Sequence, residues 1–206
     1  MEQRTPEWFA ARLGCVTASR TADVMAKTKS GYSASRANYM AQLITERLTE
    51  TPSEGFTSAA MQWGTDTEPQ ARMAYELLTG ADVVEEAFVV HPTIEGFGAS
   101  PDGLVGADGM LEIKCPNSAT HIDTLLSEKV PAKYITQMQV QMLCAGRSWC
   151  DFVSFDPRLP GDMNYWCKRI EADPDRHAEI ESEVIKFLAE IDDKITALKA
   201  KFGDAV

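Results

Sequence analysis

The chain has 206 residues, of which 44% are hydrophobic and 25% charged, the balance of a folded globular protein long enough to bury a substantial core. That balance excludes collagen-like, intrinsically disordered and membrane-spanning classes for the chain as a whole, and no run approaches 18 apolar residues. With 31 Asp and Glu against 20 Lys and Arg the net charge is -11, which taken alone argues against a nucleic-acid partner. The total conceals an uneven distribution. Residues 1–49 carry seven Lys/Arg and four Asp/Glu, residues 113–149 are mildly basic, and residues 171–193 carry nine acids against Arg176 and Lys186. Five cysteines with no C-x-x-C pair speak against a disulfide framework or a zinc ribbon, so a reducing cytoplasm is the expected compartment. The N-terminus lacks the basic and apolar regions of a secretory signal, and no membrane anchor is expected.

In chain order, Thr5-Pro6-Glu7 is a helix start and Gly14 a stop, and a second start lies at Thr17-Ala18-Ser19. Apolar residues Tyr39, Met40, Leu43, Ile44 and Leu48 recur at three and four, predicting an amphipathic helix over 33–50. A loop at 51–55 follows, then a helical pattern over 58–79. Pro69 calls for a kink or a fresh start there, with Thr67 and Gln70 as its capping box. After Gly80 the residues turn β-branched and aromatic, predicting strands near 83–84, 88–90, 97–100, 104–105 and 110–115, the last two joined by a hairpin at 106–109. Helices return at 119–127 and 132–144, strands at 149–155 and 164–170 around a turn at 157–161, and a long helix at 175–202. Absence of any internal repeat makes one α/β domain with an appended helix the economical description. Ile180, Val184, Phe187, Leu188 and Ile191 give the terminal helix a face to pack on the core, which competes with an outward docking role for its acids.

Chemistry concentrates at Ser100-Pro101-Asp102-Gly103 and Glu112-Ile113-Lys114. On a strand, positions 112 and 114 face the same way about 6.6 Å apart, and the hairpin folds Asp102 back beside them. Paired carboxylates are hard ligands suited to Mg²⁺ or Mn²⁺ in an open site. Asp102 and Glu112 with the Ile113 carbonyl would hold the ion, and Lys114 would orient or help deprotonate a water for attack on phosphorus. E-x-K occurs by chance in many proteins, but charges at alternating positions between Met110-Leu111 and Cys115-Pro116 are costly in a central strand unless used. His91, His121 and His177 have no ligand spacing and read as structural or exposed.

Pro101-Asp102, nine residues, then Glu112-Ile113-Lys114 resembles the PD-(D/E)xK pattern of a nuclease superfamily that includes many restriction enzymes. The wider set is more specific: the run from Arg12 to Ser19, Trp63-Gly64 with Glu68, Ser100 to Gly103, Leu111 to Pro116, and Gln137-Met138-Gln139. In order and approximate spacing these are similar to the lambda-type alkaline exonuclease family of phage recombination, the viral recombinase group, over about residues 5–170. The resemblance implies a restriction-endonuclease-like core, a central mixed β-sheet flanked by helices, in a single nuclease domain over 1–206 with a C-terminal helix at about 174–202.

It also implies a Mg²⁺-dependent exonuclease, with Mn²⁺ as a substitute and two ions per site. Such an enzyme degrades the 5′ strand of duplex DNA from an end as a ring-shaped homotrimer. It implies Asp102, Glu112, the Ile113 carbonyl and Glu68 at the metals, Lys114 at the water, and Gln137 positioning water or phosphate. Gln139 and Gln141 read instead as a polar helix face. By the same resemblance Arg12, Ser19 and Ser100 hold a terminal 5′-phosphate. That role suits a planar guanidinium and a serine near a predicted helix start. Met61 falls where the family places an apolar wedge, and Lys29 lies in a basic loop at 27–31 that lacks the family's arginine. The implied partners are double-stranded DNA ends and a single-strand annealing protein, in the cytoplasm of a bacterial host cell. Three other readings stay open: a non-catalytic DNA-end clamp, a PD-(D/E)xK endonuclease, and a nuclease with an iron-sulfur cluster on Cys15, Cys144, Cys150 and Cys167.

Overall fold

The computed structural model describes residues 1–53 and 58–203; the end of the loop expected at 51–55 lies outside the described residues. Thr5 caps α1 (Pro6–Arg12) by accepting from the Trp8 amide, and the chain reverses at Gly14, where φ is 65°. β1 (Val16–Thr17) leads through a 3-10 turn at Ala18–Arg20 into α2 (Thr21–Met25). The helix start expected at 17–19 is therefore this tight turn, with Ser19 exposed within it. The basic loop at 27–31 is paired, as β2 (Lys27–Thr28) with β3 (Gly31–Tyr32), and Ser33 then caps α3 (Ala34–Thr49).

The next helix, α4 (Ala59–Thr79), runs through Pro69 without restarting, and its N-cap is Ser58, which accepts from the Met61 amide at 3.2 Å. Thr67 is buried inside the helix instead of opening a capping box. Pro69 costs an interior helix about 3 kcal/mol. Ala71 and Tyr75, both buried one turn apart against the central sheet, offset that cost by packing, which is what the local signal at Pro69 omits.

The strands after Gly80 form two sheets. β5 (Val89–Val90), β6 (Phe97–Ala99) and β1 make a three-stranded layer, with β1 parallel to β6. The larger sheet is mixed and runs β10 (Tyr165–Glu171), β9 (Trp149–Phe155), β8 (Gly109–Lys114), β7 (Gly103–Val105), β4 (Val83–Val84). β8 lies in its middle, antiparallel to β7 across the predicted hairpin and parallel to β9. Two helices, α5 (Ser118–Ser127) and α6 (Ala132–Ala145), connect β8 to β9, as a parallel pair requires. Gly109 passes under Trp149, where a Cβ would meet the indole at 2.1 Å.

The terminal helix α7 (Pro174–Phe202) packs Ile180, Val184, Phe187, Leu188 and Ile191 into one core cluster with Tyr39, Met40 and Leu43 of α3. Three of its acids are met by the basic first third of the chain. Both terminal guanidinium nitrogens of Arg36 lie 2.8 Å from Glu190, Arg47 is 2.8 Å from Asp192, and Lys27 is 3.2 Å from Glu183. Much of the basic bias of residues 1–49 is therefore neutralised inside the molecule.

α4 is tied to the sheet by Asp151, which is buried on β9, accepts from the Tyr75 hydroxyl at 2.9 Å and pairs with Arg169 at 2.8 Å. Asp151→Ala should lower the unfolding free energy in urea by about 2 kcal/mol, and Tyr75→Phe by about 1 kcal/mol. Equal stability of the Asp151 variant and the parent would remove this tie from the description.

Candidate active site

Glu112 points from the central strand β8 into the protein and has no exposed surface, while its neighbours Leu111 and Ile113 fill the core on the other face. Three side chains hold its carboxylate. Lys114, two residues on and on the same face, forms an ion pair with Oε1. Gln137 donates to Oε1 at 2.7 Å and Gln141 to Oε2 at 2.6 Å, both from α6. Burial pushes the Glu112 carboxyl up to about 7; Lys114 opposes the shift and Asp102 adds to it. Burial acts to lower the Lys114 pKa, but the charges of Glu112 and Asp102 outweigh it and hold the ammonium above its ordinary range.

Asp102 stands just before β7, and its Oδ2 accepts from the Ile113 amide at 2.7 Å, fixing it against the end of β8. Glu68 comes from α4 and receives Arg72 at 3.0 Å and Arg4 at 3.3 Å. Its carboxyl is raised by burial and by the charge of Asp102, and the two arginines counter this. Asp102 thus acts electrostatically on both Glu68 and Glu112. All donors here are hard oxygens, and burial, with the charge of Asp102 added to it, makes the ionised forms of Glu112 and Glu68 costly in a way that a divalent cation would offset. Among the described residues no three His, Cys, Asp or Glu side chains are grouped so as to hold a metal ion by themselves. The donor set fits an ion that keeps water and substrate oxygens among its ligands. Such an ion would compete with Lys114 for Glu112.

The floor formed by Glu68, Ile113 and Lys114 opens into a cleft of about 550 Å³ that Met61, Gly64 and Tyr134 also line. A Cβ at Gly64 would meet nothing within 4 Å, so glycine there leaves the cleft wide and serves no packing need. Met61, 58% exposed, also lines a second cleft with Arg12, Ser19 and Arg20. Arg12 stacks 3.8 Å over the Trp8 ring and donates to Ser100 Oγ at 3.1 Å, a hydroxyl that Trp8 Nε1 also reaches at 3.0 Å. Burial lowers the Arg12 pKa, with Tyr39 acting in the opposite direction.

Arg12, Ser19, Ser100 and Met61 are therefore brought together, as are Asp102, Glu112, Ile113, Lys114, Glu68 and Gln137. Lys29 stands apart, exposed on the β2–β3 hairpin and lining neither cleft. The cysteines do not converge: Cys144, Cys150 and Cys167 belong to three different core clusters. His121 bridges Ser154 Oγ at 2.7 Å and the Met163 carbonyl at 2.9 Å, and His91 is buried beside Glu181.

Sequence reasoning misses Gln141, Arg20, Arg4 and Arg72. Gln141 is legible in hindsight, since Tyr134, Gln137 and Gln141 follow each other at three and four along one face of α6. The other amide, Gln139, is structural: it donates to the Glu171 carbonyl at 2.8 Å and accepts from the Asp173 amide at 2.9 Å. Removing a group that orients a ligand costs about 10- to 100-fold in metal affinity. Gln141→Leu should accordingly weaken Mn²⁺ binding about tenfold by calorimetry on DNA-free protein. Gln139→Ala should leave it unchanged, and the reverse ranking would remove Gln141 from the site.

A family model for the YqaJ-like viral recombinase domain matches residues 7–148. Two crystal structures of LHK-Exo, an alkaline exonuclease from Laribacter hongkongensis, one of them in complex with dAMP, are similar at 59% identity and a TM-score of 0.90. Each comparison covers 96% of this chain and 97% of that one. A phage-related exonuclease from Haemophilus somnus 129PT shares the fold, with a TM-score of 0.73 at 16% identity over 89% of this chain and 96% of that one. No curated protein sequence gives a significant match. The chain belongs to the YqaJ-like viral recombinase family.

Proposed function

We propose that the protein is a Mg²⁺-dependent exonuclease that degrades the 5′ strand of duplex DNA processively from an end. It leaves a 3′ overhang for phage-type recombination by single-strand annealing. The observation that carries this reading is the fully buried Glu112 paired with Lys114, whose side chain lines, with Glu68, a cleft that Met61 joins to the cleft of Arg12 and Ser19. Likeness to LHK-Exo, described as an alkaline exonuclease, supports the reaction class.

Asp102, Glu112, the Ile113 carbonyl and Glu68 would hold the Mg²⁺, one or two ions, with Mn²⁺ as a substitute. When bound, such ions stabilise charge on phosphoryl oxygens and lower the pKa of a water. The protein's own groups then have distinct tasks. Lys114, kept as an ammonium by its neighbours, would donate to the attacking water and orient it; to take the water's proton it would first have to pass one of its own to solvent. Gln137 and Gln141 keep the Glu112 oxygens in place against rotation. Arg12, Ser19 and Ser100 would bind the terminal 5′-phosphate through a charged fork and two hydroxyls, which sets the strand polarity. Met61 would part the first base pair between the two clefts, and Lys29 would steer the strand from outside. A ring-shaped homotrimer around DNA would supply processivity. Met73, Leu77 and Leu78, left exposed on α4, suit burial between subunits. A single-strand annealing protein would take up the overhang in the cytoplasm of the host cell.

The test is digestion of linear duplex with Mg²⁺, each strand labelled separately, on 5′-phosphorylated and 5′-hydroxyl ends, with a closed circle as control. The phosphorylated strand should be lost from its 5′ end and the circle left whole. Lys114→Ala should lower the rate by about 100- to 10,000-fold. Arg12→Ala should slow phosphorylated ends by about 10- to 100-fold and leave hydroxyl ends nearly unaffected. A cut circle would establish an endonuclease, and intact DNA in every lane would favour a non-catalytic clamp.

A further inference from the structure

Arg4 occupies a position that the proposed site does not use. Its backbone is left-handed, with φ at 70°, an uncommon conformation for a residue with a Cβ, and unlike Glu50 and Glu128 it does not close a helix. The chain is held on both sides. Gln3 donates to the Pro101 carbonyl at 2.8 Å and to the Glu86 carbonyl at 3.3 Å. Trp8 donates to the Ala87 carbonyl at 2.9 Å and to Ser100. The segment is thus pinned to the loop that carries Asp102, and the Arg4 side chain is turned onto Glu68.

The Arg4–Glu68 pair alone does not account for that arrangement. Arg4 is 49% exposed, and a solvated ion pair contributes little to stability, less than a strained backbone costs. Glu68 already has Arg72, which is far less exposed, at 3.0 Å. What sets Arg4 apart is its place: with Glu68 it lines both the cleft over Lys114 and the adjoining groove over Asp102. It presents a half-exposed guanidinium, planar and forked, at the mouth of the cleft where a DNA phosphate would lie.

We propose that Arg4 is a phosphate-binding positioning residue that exchanges partners: in the DNA-free protein it rests on Glu68, and in the complex it leaves Glu68 for a backbone phosphate of the strand in the cleft. The inference rests on the nuclease reading above. Its consequence is a pair of opposite effects. While on Glu68, Arg4 opposes cation binding there; once on DNA, it adds a phosphate contact and leaves that Glu68 oxygen available.

Arg4→Gln and Arg4→Lys test this by binding, with digestion by wild type as a separate control. Binding of a 5′-phosphorylated hairpin duplex, measured in EDTA over a range of salt, should weaken about three- to tenfold in Arg4→Gln. The slope of log affinity against log salt should fall by about 0.9, the value for one phosphate contact. Arg4→Lys should keep most of the slope. Calorimetry with Mn²⁺ on DNA-free protein should show Arg4→Gln binding the ion about two- to fivefold more tightly. A purely structural strap would weaken both kinds of binding together, and that outcome, or an unchanged slope, overturns the proposal. If wild type degrades DNA ends while Arg4→Gln binds them like wild type, the inference fails and the nuclease reading stands. If wild type neither binds nor degrades DNA, both fail.

Discussion

A carboxylate with no exposed surface, placed on the middle strand of a sheet, dictates much of what surrounds it. Glu112 can stay in that position only if its oxygens are met, and three donors from two elements meet them. Lys114 comes along the same strand, which fixes the alternation of β8. Gln137 and Gln141 fix the rotation of α6 about its axis, and Gln141 also lies 3.4 Å from the Ser100 carbonyl, bringing the helix to the loop before Asp102. The Ile113 amide then draws Asp102 to the strand end. An arrangement of this kind is poor as a stability device, because a buried ion pair seldom outweighs its desolvation. It fits the proposal made above, in which Glu112 would be a held ligand for a cation.

Electrostatics follows a similar logic at larger scale. A protein with a net charge of -11 would be repelled by DNA if its acids were spread evenly. They are not: α7 concentrates them and meets Arg36, Arg47 and Lys27 from the first third of the chain. The cations that line the clefts are few: Arg12 and Arg20 at one, Arg4, Lys114 and Lys133 at the other, with Arg20, Arg4 and Lys114 each also paired to a carboxylate. Contact with DNA would be focused through the clefts, with a smaller salt dependence than a broad basic face would give.

Much of this is legible in the chain. The period-two run at 110–115, the hairpin glycines and the E-x-K spacing place Glu112, Lys114 and Asp102 together before any coordinates are seen, because strand alternation is a short-range rule. The apolar stripe of α7 is equally readable, and its packing on the core follows from Ile180 to Ile191. Pro69 misleads for the opposite reason: its cost is local, whereas the burial of Ala71 and Tyr75 that offsets it depends on the sheet. Gln141 is passed over because three glutamines at alternate positions look alike until the helix face is known. Arg4 and Arg72 are unreadable in sequence, since their partner Glu68 is 64 residues from one and a single helical turn from the other, and the meaning of both pairs comes from Asp102 nearby. The charge bias of residues 1–49 points toward a nucleic-acid face, yet much of it belongs to intramolecular pairing with α7.

The central claim is that the buried Glu112 exchanges Lys114 for a divalent ion shared with Asp102. Anomalous scattering from crystals soaked in Mn²⁺ tests this most directly. The result predicted is a peak contacting Asp102, Glu112 and the Ile113 carbonyl, with the Lys114 ammonium displaced from Oε1 of Glu112. A peak held by Glu68 and Asp102 alone, with Glu112 still paired to Lys114, would contradict it.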